Sequence, residues 1–124
     1  HAAETGAWGE REAERWLKSR GYAIIGRNVA TQAGEADLVC RASDGRTMVV
    51  VEVKSRLSPE GGGVFRPEHA INASKRRRLL AIARLLARAN RWGDRPVRVD
   101  VIAVERLGDR LDVRHHEGIG RLRA

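Results

Sequence analysis

Two stretches decide the fold: GEADLVC at residues 34–40 and VVVEVKSR at residues 49–56. Both are mainly apolar, and the turn-forming residues between them predict a hairpin of two antiparallel strands. Side chains alternate along a strand, so Glu52 and Lys54 share one face of the second strand. A suitable register brings Asp37 close to both. Two acids and a lysine are costly to bury in a valine-rich sheet without a purpose, so this stretch is the candidate site.

Composition narrows the class of protein. The chain has 124 residues, of which 42% are hydrophobic and 32% are charged, and this predicts a single globular domain over residues 1–124. The formal net charge of +8 favours a polyanionic partner such as nucleic acid. No apolar run approaches the length of a membrane span, and no signal peptide is recognised. The single cysteine, Cys40, rules out an intrachain disulfide and fits the cytoplasm.

Periodicity and turn signals predict the remaining elements. They are a helix over residues 7–20 capped by Thr5 and ended by Gly21, strands over 22–29, 36–41 and 47–54, a helix from Asn72 or Ser74 to Arg91, a strand over 96–105, and a short edge strand over 111–117. The order is α-β-β-β-α-β-β. Because the helices must cover an otherwise exposed sheet, we expect an α/β sandwich with a central mixed sheet. The continuous valines of the third strand favour a central position, buried on both faces.

Residues 57–68 predict a mobile loop, since they contain Pro59, Gly61-Gly62-Gly63 and Pro67. A loop beside a rigid site often handles substrate, whereas a tolerated surface insertion would have the same composition. Both interpretations stay open.

The positive charge is concentrated in one segment. Residues 72–98 carry nine basic residues against one acid, Asp94, and this local balance of +8 equals the excess of the whole chain. Such a run is usually a solvated face. Its concentration beside a glycine-rich segment favours a phosphate-contacting surface, for which the candidates are Lys75, Arg76, Arg77 and Arg78.

The charges of the opening stretch suit metal-assisted phosphodiester chemistry. Asp37 and Glu52 supply hard oxygen ligands of the kind that hold Mg²⁺ or Mn²⁺, and the backbone carbonyl of Val53 could add another. Lys54 would reach the same place, where it could position or activate water, or offset charge on the phosphate. Glu10, on the first helix, could bind a second metal or a metal-bound water. The alternative for Glu10 is an acid favoured by the helix dipole.

An acid followed by Glu-x-Lys on adjacent strands resembles the PD-(D/E)xK nuclease superfamily. Glu-x-Lys alone is a weak signal, but its context is more specific. The segments that carry the resemblance occur in order: Gly9-Glu10, Gly21-Tyr22, Arg27-Asn28, residues 34–38, residues 51–56, Lys75 with Leu80 and Ala83, and residues 98–101. Together they are similar, over nearly the whole chain, to the YraN-like uncharacterised protein family of bacteria. That family is regarded as a group of endonucleases similar to archaeal Holliday-junction resolvases.

The resemblance implies a restriction-endonuclease-like three-layer sandwich. Residue by residue, it implies that Asp37 and Glu52 are the metal-binding acids, that Lys54 is the catalytic lysine and that Glu10 belongs to the site. Ser55 and Arg56 become candidates for phosphate contacts. Proline does not precede the aspartate here, and Glu35 stands nearby. Glu35 could bind metal, pair with Lys54 or be solvated.

Other polar residues are less informative. Asp100, on a core strand, is expected to buttress Arg98 or Lys75. His115 and His116 are adjacent, so on a strand they face opposite ways and cannot simply share a metal. Cys40 is expected to be a small core residue.

The leading functional hypothesis is an Mg²⁺- or Mn²⁺-dependent endonuclease acting on DNA, branched or single-stranded, with DNA favoured over RNA. The alternative is a non-catalytic nucleic-acid-binding module of the same fold that works with a partner enzyme. Intact Asp37, Glu52 and Lys54 favour the enzyme, because a binding module has little need to keep them together. A homodimer is compatible with cutting a junction at two sites.

Overall fold

The structure, a computed structural model, describes residues 2–58 and 67–122. The elements, in chain order, are α1 (Ala2–Ser19), β1 (Ala23–Thr31), β2 (Gly34–Arg41), β3 (Met48–Ser58), a short 3-10 helix (Pro67–Ala70), α2 (Ala73–Ala89), β4 (Val97–Leu107) and β5 (Arg110–Leu122). The predicted order of elements is confirmed.

One five-stranded sheet carries the fold, with its strands in the order β1-β2-β3-β4-β5. Neighbouring strands are antiparallel except β3 and β4, which are parallel because α2 crosses over between them. The mixed sheet and the central position of β3 are therefore as predicted.

Each helix covers one face of the sheet, and each face has its own apolar core. On the α1 side, Ala13 and Leu17 pack against Val49, Val51 and Ile102. On the α2 side, Ile82 and Leu86 pack against residues that alternate with these along the strands, including Val50 and Val99. The result is the predicted α/β sandwich of three layers, with a central mixed sheet between two helices. Among the helices of the described residues, none combines the length and apolarity needed to cross a membrane.

The sheet divides at β2 and β3, and we call this place the fork. The two strands pair from Arg41↔Met48 to Leu38↔Val51 and no further. Beyond that point β2 stays with β1 down to the Thr31↔Gly34 pair, whereas β3 stays with β4. Asp37 and Glu52 are the first residues past the last pair. The carboxylates of the candidate site therefore lie at the opening of the fork.

Alternation along β2 is interrupted at the same place. Leu38 and Cys40 belong to the α1-side core, as Cys40 was expected to be a core residue. Regular alternation along the strand would put Ala36 on their face, but Ala36 belongs to the α2-side core. The alternation fails here because β2 separates from β3 at Asp37.

Several predicted boundaries need correction. α1 begins at Ala2, so Thr5 lies inside the helix and the predicted cap is wrong. Alanine and glutamate before Thr5 are good helix formers and extend it. Its end is as predicted: Gly21 adopts a φ of +84°, and its N–H donates to the Lys18 carbonyl.

The edge strand β5 has 13 residues and is not short. It pairs with nearly the whole of β4, interrupted by an irregularity between Val99 and Val101. The predicted loop is also narrower than expected, because Leu57 and Ser58 continue β3 and Glu68 lies in the 3-10 helix. Pro59 and Gly61-Gly62-Gly63 fall outside the described residues.

Candidate functional site

Asp37 and Glu52 meet at the fork, as the hairpin register predicted. The Val53 N–H donates to Asp37 Oδ2 at 2.7 Å, so a backbone group of β3 bridges the gap that the missing strand pairing leaves. The Asp37 and Glu52 carboxyl groups also share a hydrogen bond. Burial raises the pKa of Asp37 to about 8, and the hydrogen bond and charge of Glu52 add to the rise. The Asp37 carboxyl group therefore binds a proton more tightly than an ordinary aspartate does.

Lys54 lies two residues after Glu52 on the same face of β3. Its Nζ is 3.5 Å from Glu52 Oε2, and the two side chains are 25% and 15% exposed, respectively. Lys75, in the first turn of α2, approaches from above, and the positive charge of Lys54 lowers the pKa of Lys75. Two cations from different elements thus stand beside the paired acids on the α2 side.

Glu10 comes from the other side of the sheet. It lies in α1 at a pocket of about 310 Å³ between α1 and the strands β1 and β2. Burial raises the pKa of Glu10, and the charges of Glu35 and Glu52 contribute to the rise. The charge of Glu52 therefore acts on Glu10, although Glu10 lies in the helix α1 and Glu52 lies in the sheet.

Asn28 connects Glu10 to Glu35. With its amide nitrogen turned toward the two acids, Asn28 Nδ2 donates to Glu10 Oε1 at 3.0 Å and to Glu35 Oε1 at 3.1 Å. Asn28 has a φ of +50°, a conformation that asparagine tolerates better than most residues. For Glu35, which the sequence left open, the structure supplies this bridge rather than an ion pair with Lys54.

Gly9 positions α1 against the site. A Cβ at Gly9 would lie 2.5 Å from Cβ and 2.7 Å from Oγ of Ser55 on β3. Only glycine allows this close approach, which places the next residue, Glu10, near the fork. Ser55 therefore faces α1 and not the Glu52 side of the sheet, which gives no support to its predicted contact with phosphate.

Arg56 is engaged by a neighbour on β4. Its Nε and Nη2 donate to Glu105 Oε2 at 2.8 and 2.5 Å, and Glu105 is only 2% exposed. Glu105 also accepts from Arg114, which in turn donates to Glu68 in the 3-10 helix. The predicted phosphate contact of Arg56 would have to compete with this ion-pair network.

The four basic residues predicted to contact phosphate lie together at the start of α2, where Asn72 caps the helix by accepting from the Lys75 N–H. Arg76, Arg77 and Arg78 are exposed. None of these three has a carboxylate within ion-pair distance among residues 2–58 and 67–122. The surface next to the fork is therefore strongly and openly positive.

Asp100 and the histidines belong to other parts of the sheet. Asp100 pairs with Arg98, as one of its two predicted roles requires, and not with Lys75. His115 Nε2 lies 2.7 Å from Asp100 on the α1 face, and His116 Nε2 lies 3.0 Å from Glu68 on the α2 face. The expectation that adjacent histidines diverge is confirmed.

The described residues contain no group of three His, Cys, Asp or Glu side chains placed to hold a metal ion. The fork nevertheless brings two carboxyl groups, those of Asp37 and Glu52, into contact, and carboxylate oxygens are ligands that Mg²⁺ and Mn²⁺ prefer. The N–H and C=O of one strand residue point to the same side, so the Val53 carbonyl faces the fork together with its N–H. Two carboxylates and one carbonyl leave room for water and phosphate in an octahedral shell.

Comparison with known proteins identifies the family. The model of the uncharacterised protein family UPF0102 matches residues 9–104. The chain belongs to the UPF0102 family. This confirms the resemblance to the YraN-like family, and the matched range contains Glu10, the fork and α2.

Relatives from several bacteria match most of the chain. A UPF0102 protein of Syntrophotalea carbinolica is 38% identical over 113 residues, covering 91% of this chain and 88% of its own. One from Beutenbergia cavernae is 42% identical over 119 residues, covering 93% and 94%. Among solved structures, SfsA of Pyrococcus furiosus in complex with Ca²⁺ matches with a TM-score of 0.32 and 16% identity, over 86% of this chain and 58% of that chain.

Two contributors to the site escaped sequence reasoning. Asn28 was noted only as part of a motif, and its signal is a polar residue on β1 between the residues that pair with Ala36 and Leu38 of β2. Glu105 was overlooked at the end of a valine-rich strand, where a buried acid needs partners. Their roles depend on elements distant in sequence.

Proposed function

We propose that this UPF0102 protein is a metal-dependent endonuclease that hydrolyses phosphodiester bonds in DNA. The observation that supports it most is the pair of carboxyl groups, Asp37 and Glu52, held in contact at the fork with Lys54 beside them. A protein that only bound nucleic acid would gain nothing from two carboxyl groups held in contact, because carboxylates repel phosphate.

In this proposal Asp37, Glu52 and the Val53 carbonyl hold Mg²⁺ or Mn²⁺. The bound metal would polarise the phosphodiester and lower the pKa of an attacking water. The Val53 N–H keeps the Asp37 carboxyl group oriented toward the fork, since it donates to Oδ2. Glu10, oriented by Asn28, would hold a water on the α1 side.

Lys54 is assigned the role of orienting the attacking water or offsetting the charge that develops on the phosphate. Its ammonium group lies 3.5 Å from Glu52 Oε2, and its positive charge lowers the pKa of the neighbouring Lys75. Arg76, Arg77 and Arg78 would hold the phosphate backbone of the strand that enters the fork. DNA is preferred to RNA as the substrate.

The experiment is a cleavage panel with Mg²⁺ and Mn²⁺ on duplex, single-stranded, flap and four-way DNA and on RNA. Wild type is compared with Lys54→Ala, for which we expect cleavage to fall by about a hundred- to ten-thousandfold. Lys18→Ala is the matched control, because Lys18 also pairs with an acid, Glu14, but lies on the outer side of α1.

The outcomes separate the hypotheses. Cleavage unchanged in Lys54→Ala would point to a contaminant or another site, and would refute the assigned role. Binding without cleavage on every substrate would favour the non-catalytic module instead.

A further inference from the structure

A second cavity lies next to the fork on the α2 side. It measures about 490 Å³ and opens between β4, β5, the 3-10 helix and the start of α2. Val101 of β4 forms part of it and is paired with Glu52 on β3 and with His116 on β5. Neighbouring strands are about 4.8 Å apart, so the floor of this cavity is one strand away from a proposed metal-binding acid.

The walls of the cavity are mostly apolar. Ile71, Ala73 and Ile119 line it together with Val101. One end is polar, where His116 lies 3.0 Å from Glu68. The volume falls in the range of about 300–1,000 Å³ that is usual for small-molecule sites. A slot with apolar sides and a hydrogen-bonding end suits a flat aromatic ring with polar edges.

The charge around the cavity indicates what such a ring would be attached to. Arg76 lies at the wall and is exposed, and its guanidinium Nη1 donates to the Ile119 carbonyl in a long hydrogen bond of 3.4 Å. Arg77 follows on the exposed side of α2. A phosphate alone would not enter, because the Glu68 carboxylate stands inside. A nucleobase can enter while its phosphate stays at the rim beside Arg76.

From this arrangement we propose that the cavity, named here the base pocket, accepts one unstacked nucleobase of the substrate strand next to the scissile phosphate. This rests on the proposed function and deepens it by naming the substrate class. A base inside a duplex is stacked on both sides and paired, so it cannot enter without leaving the helix. The base pocket therefore selects DNA that is single-stranded at the cut, as at a flap, a bulge or a junction.

The test fills the base pocket without touching the core. Ala73 and Ser74 are neighbouring exposed residues in the first turn of α2, but only Ala73 lines the cavity. Ala73→Trp should block the base pocket, and Ser74→Trp is the matched control for an added indole at the same helix end.

Binding is measured without divalent metal, so that the result does not depend on cleavage. The probes are short single-stranded oligonucleotides with one 2-aminopurine at successive positions, and the same strands in duplex. For wild type we expect tighter binding of the single strand and, at one position, a rise in fluorescence as the base leaves its stack. Ala73→Trp should abolish the rise and weaken single-strand binding about tenfold, the value of one stacked base, with duplex binding within about twofold.

Equal effects of Ala73→Trp and Ser74→Trp would overturn the base pocket, and so would equal binding of single strand and duplex by wild type. A wild type that never cleaves but shows the fluorescence rise, lost only in Ala73→Trp, would keep the base pocket and reject the nuclease. Cleavage without any fluorescence rise would do the reverse.

Discussion

Asp37 and Asp100 lie on inner strands of the sheet, β2 and β4, yet their surroundings shift their pKa values in opposite directions. Asp100 is fully buried and accepts hydrogen bonds from Arg98, His115 and the Gly118 N–H. Burial alone would raise the pKa of Asp100, but these hydrogen bonds outweigh burial and lower it. Arg98 also donates to the Tyr22 hydroxyl, which ties the network to the end of α1.

Asp37 has one backbone donor and a second acid beside it. Burial and the neighbouring Glu52 raise the pKa of Asp37 to about 8, whereas the pKa of Asp100 is lowered from its ordinary value. Asp100 is paired directly with a guanidinium group, that of Arg98, whereas the nearest neighbour of the Asp37 carboxyl group is a second acid, Glu52. A buried carboxylate that its own fold leaves uncompensated is expected to serve a ligand, whereas a compensated one serves the fold.

The largest expected effect is on cleavage at the fork. Glu52→Gln should lower the rate about a thousandfold, because it removes a charge that would hold the metal, while thermal stability stays the same or rises. The control is Glu12→Gln, whose acid pairs with Arg15 on the outer surface of α1. If Glu52→Gln were as active as the Glu12→Gln control, the fork would not be the catalytic site.

The next effect is on stability at Asp100. Asp100→Asn should lower the free energy of unfolding by about 3–5 kcal/mol, because it removes the buried counter-charge of Arg98 and leaves that guanidinium with the exposed Glu117 carboxylate at 3.9 Å. Asp37→Asn should not lower it, since the amide oxygen still accepts from the Val53 N–H and the repulsion with Glu52 disappears. Chemical denaturation measures the free energy of unfolding of both variants. A larger loss in Asp37→Asn than in Asp100→Asn would show that Asp37, and not Asp100, stabilises the fold.

Metal binding sharpens the same contrast. Mn²⁺ at about 100 times its dissociation constant should stabilise wild type by about 2.7 kcal/mol. Asp37→Asn should abolish this gain, which is measured as a shift in melting temperature with and without Mn²⁺. An identical shift in Asp37→Asn would mean that the metal binds elsewhere.

A smaller effect is expected on α2. Arg77 and Arg84 are exposed and lack carboxylate partners within the described part of the chain, whereas Arg15 on α1 pairs with Glu12 at 2.8 Å. Arg77→Gln and Arg84→Gln should each weaken DNA binding a few-fold and reduce its salt slope by about 1. Arg15→Gln should change neither the affinity for DNA nor its salt slope. An equal loss in Arg15→Gln would show that the net charge of the protein, and not the α2 surface, determines binding.

The smallest effect concerns pH and Glu68, which resembles Asp100 in being compensated. Burial would raise the pKa of Glu68, but hydrogen bonds from Arg114 and His116 lower it from its ordinary value of 4.5 to about 2. A lowered pKa stabilises the fold above pH 4.5, and the contribution is lost as the pH falls toward 2. At pH 6 the free energy of unfolding of wild type should exceed that of Glu68→Gln by on the order of 1 kcal/mol. The melting temperatures of the two proteins should become equal near pH 2. A constant difference would exclude this linkage.

Sequence patterns predicted most of the framework for identifiable reasons. The continuous valines of β3 predict a central strand. Gly21 ends α1 because it adopts a positive φ, and Asn72 begins α2 because its side chain accepts from a backbone N–H of the first turn. Errors occurred where local rules compete with distant contacts. The α1 start was missed because a threonine can cap or continue a helix, and β5 was underestimated because its pairing with β4 outweighs its mixed composition.

By itself, the sequence determined the order of elements and the identity of the candidate acids and lysine, because strand alternation and hairpin turns act over a few residues. Only the tertiary structure decided which charges are compensated. The fork, the Asn28 bridge to Glu10 and the partners of Asp100 join residues far apart in the chain. Solvation and electrostatics depend on that assembly, and they make Asp100 part of the framework and Asp37 part of the candidate site.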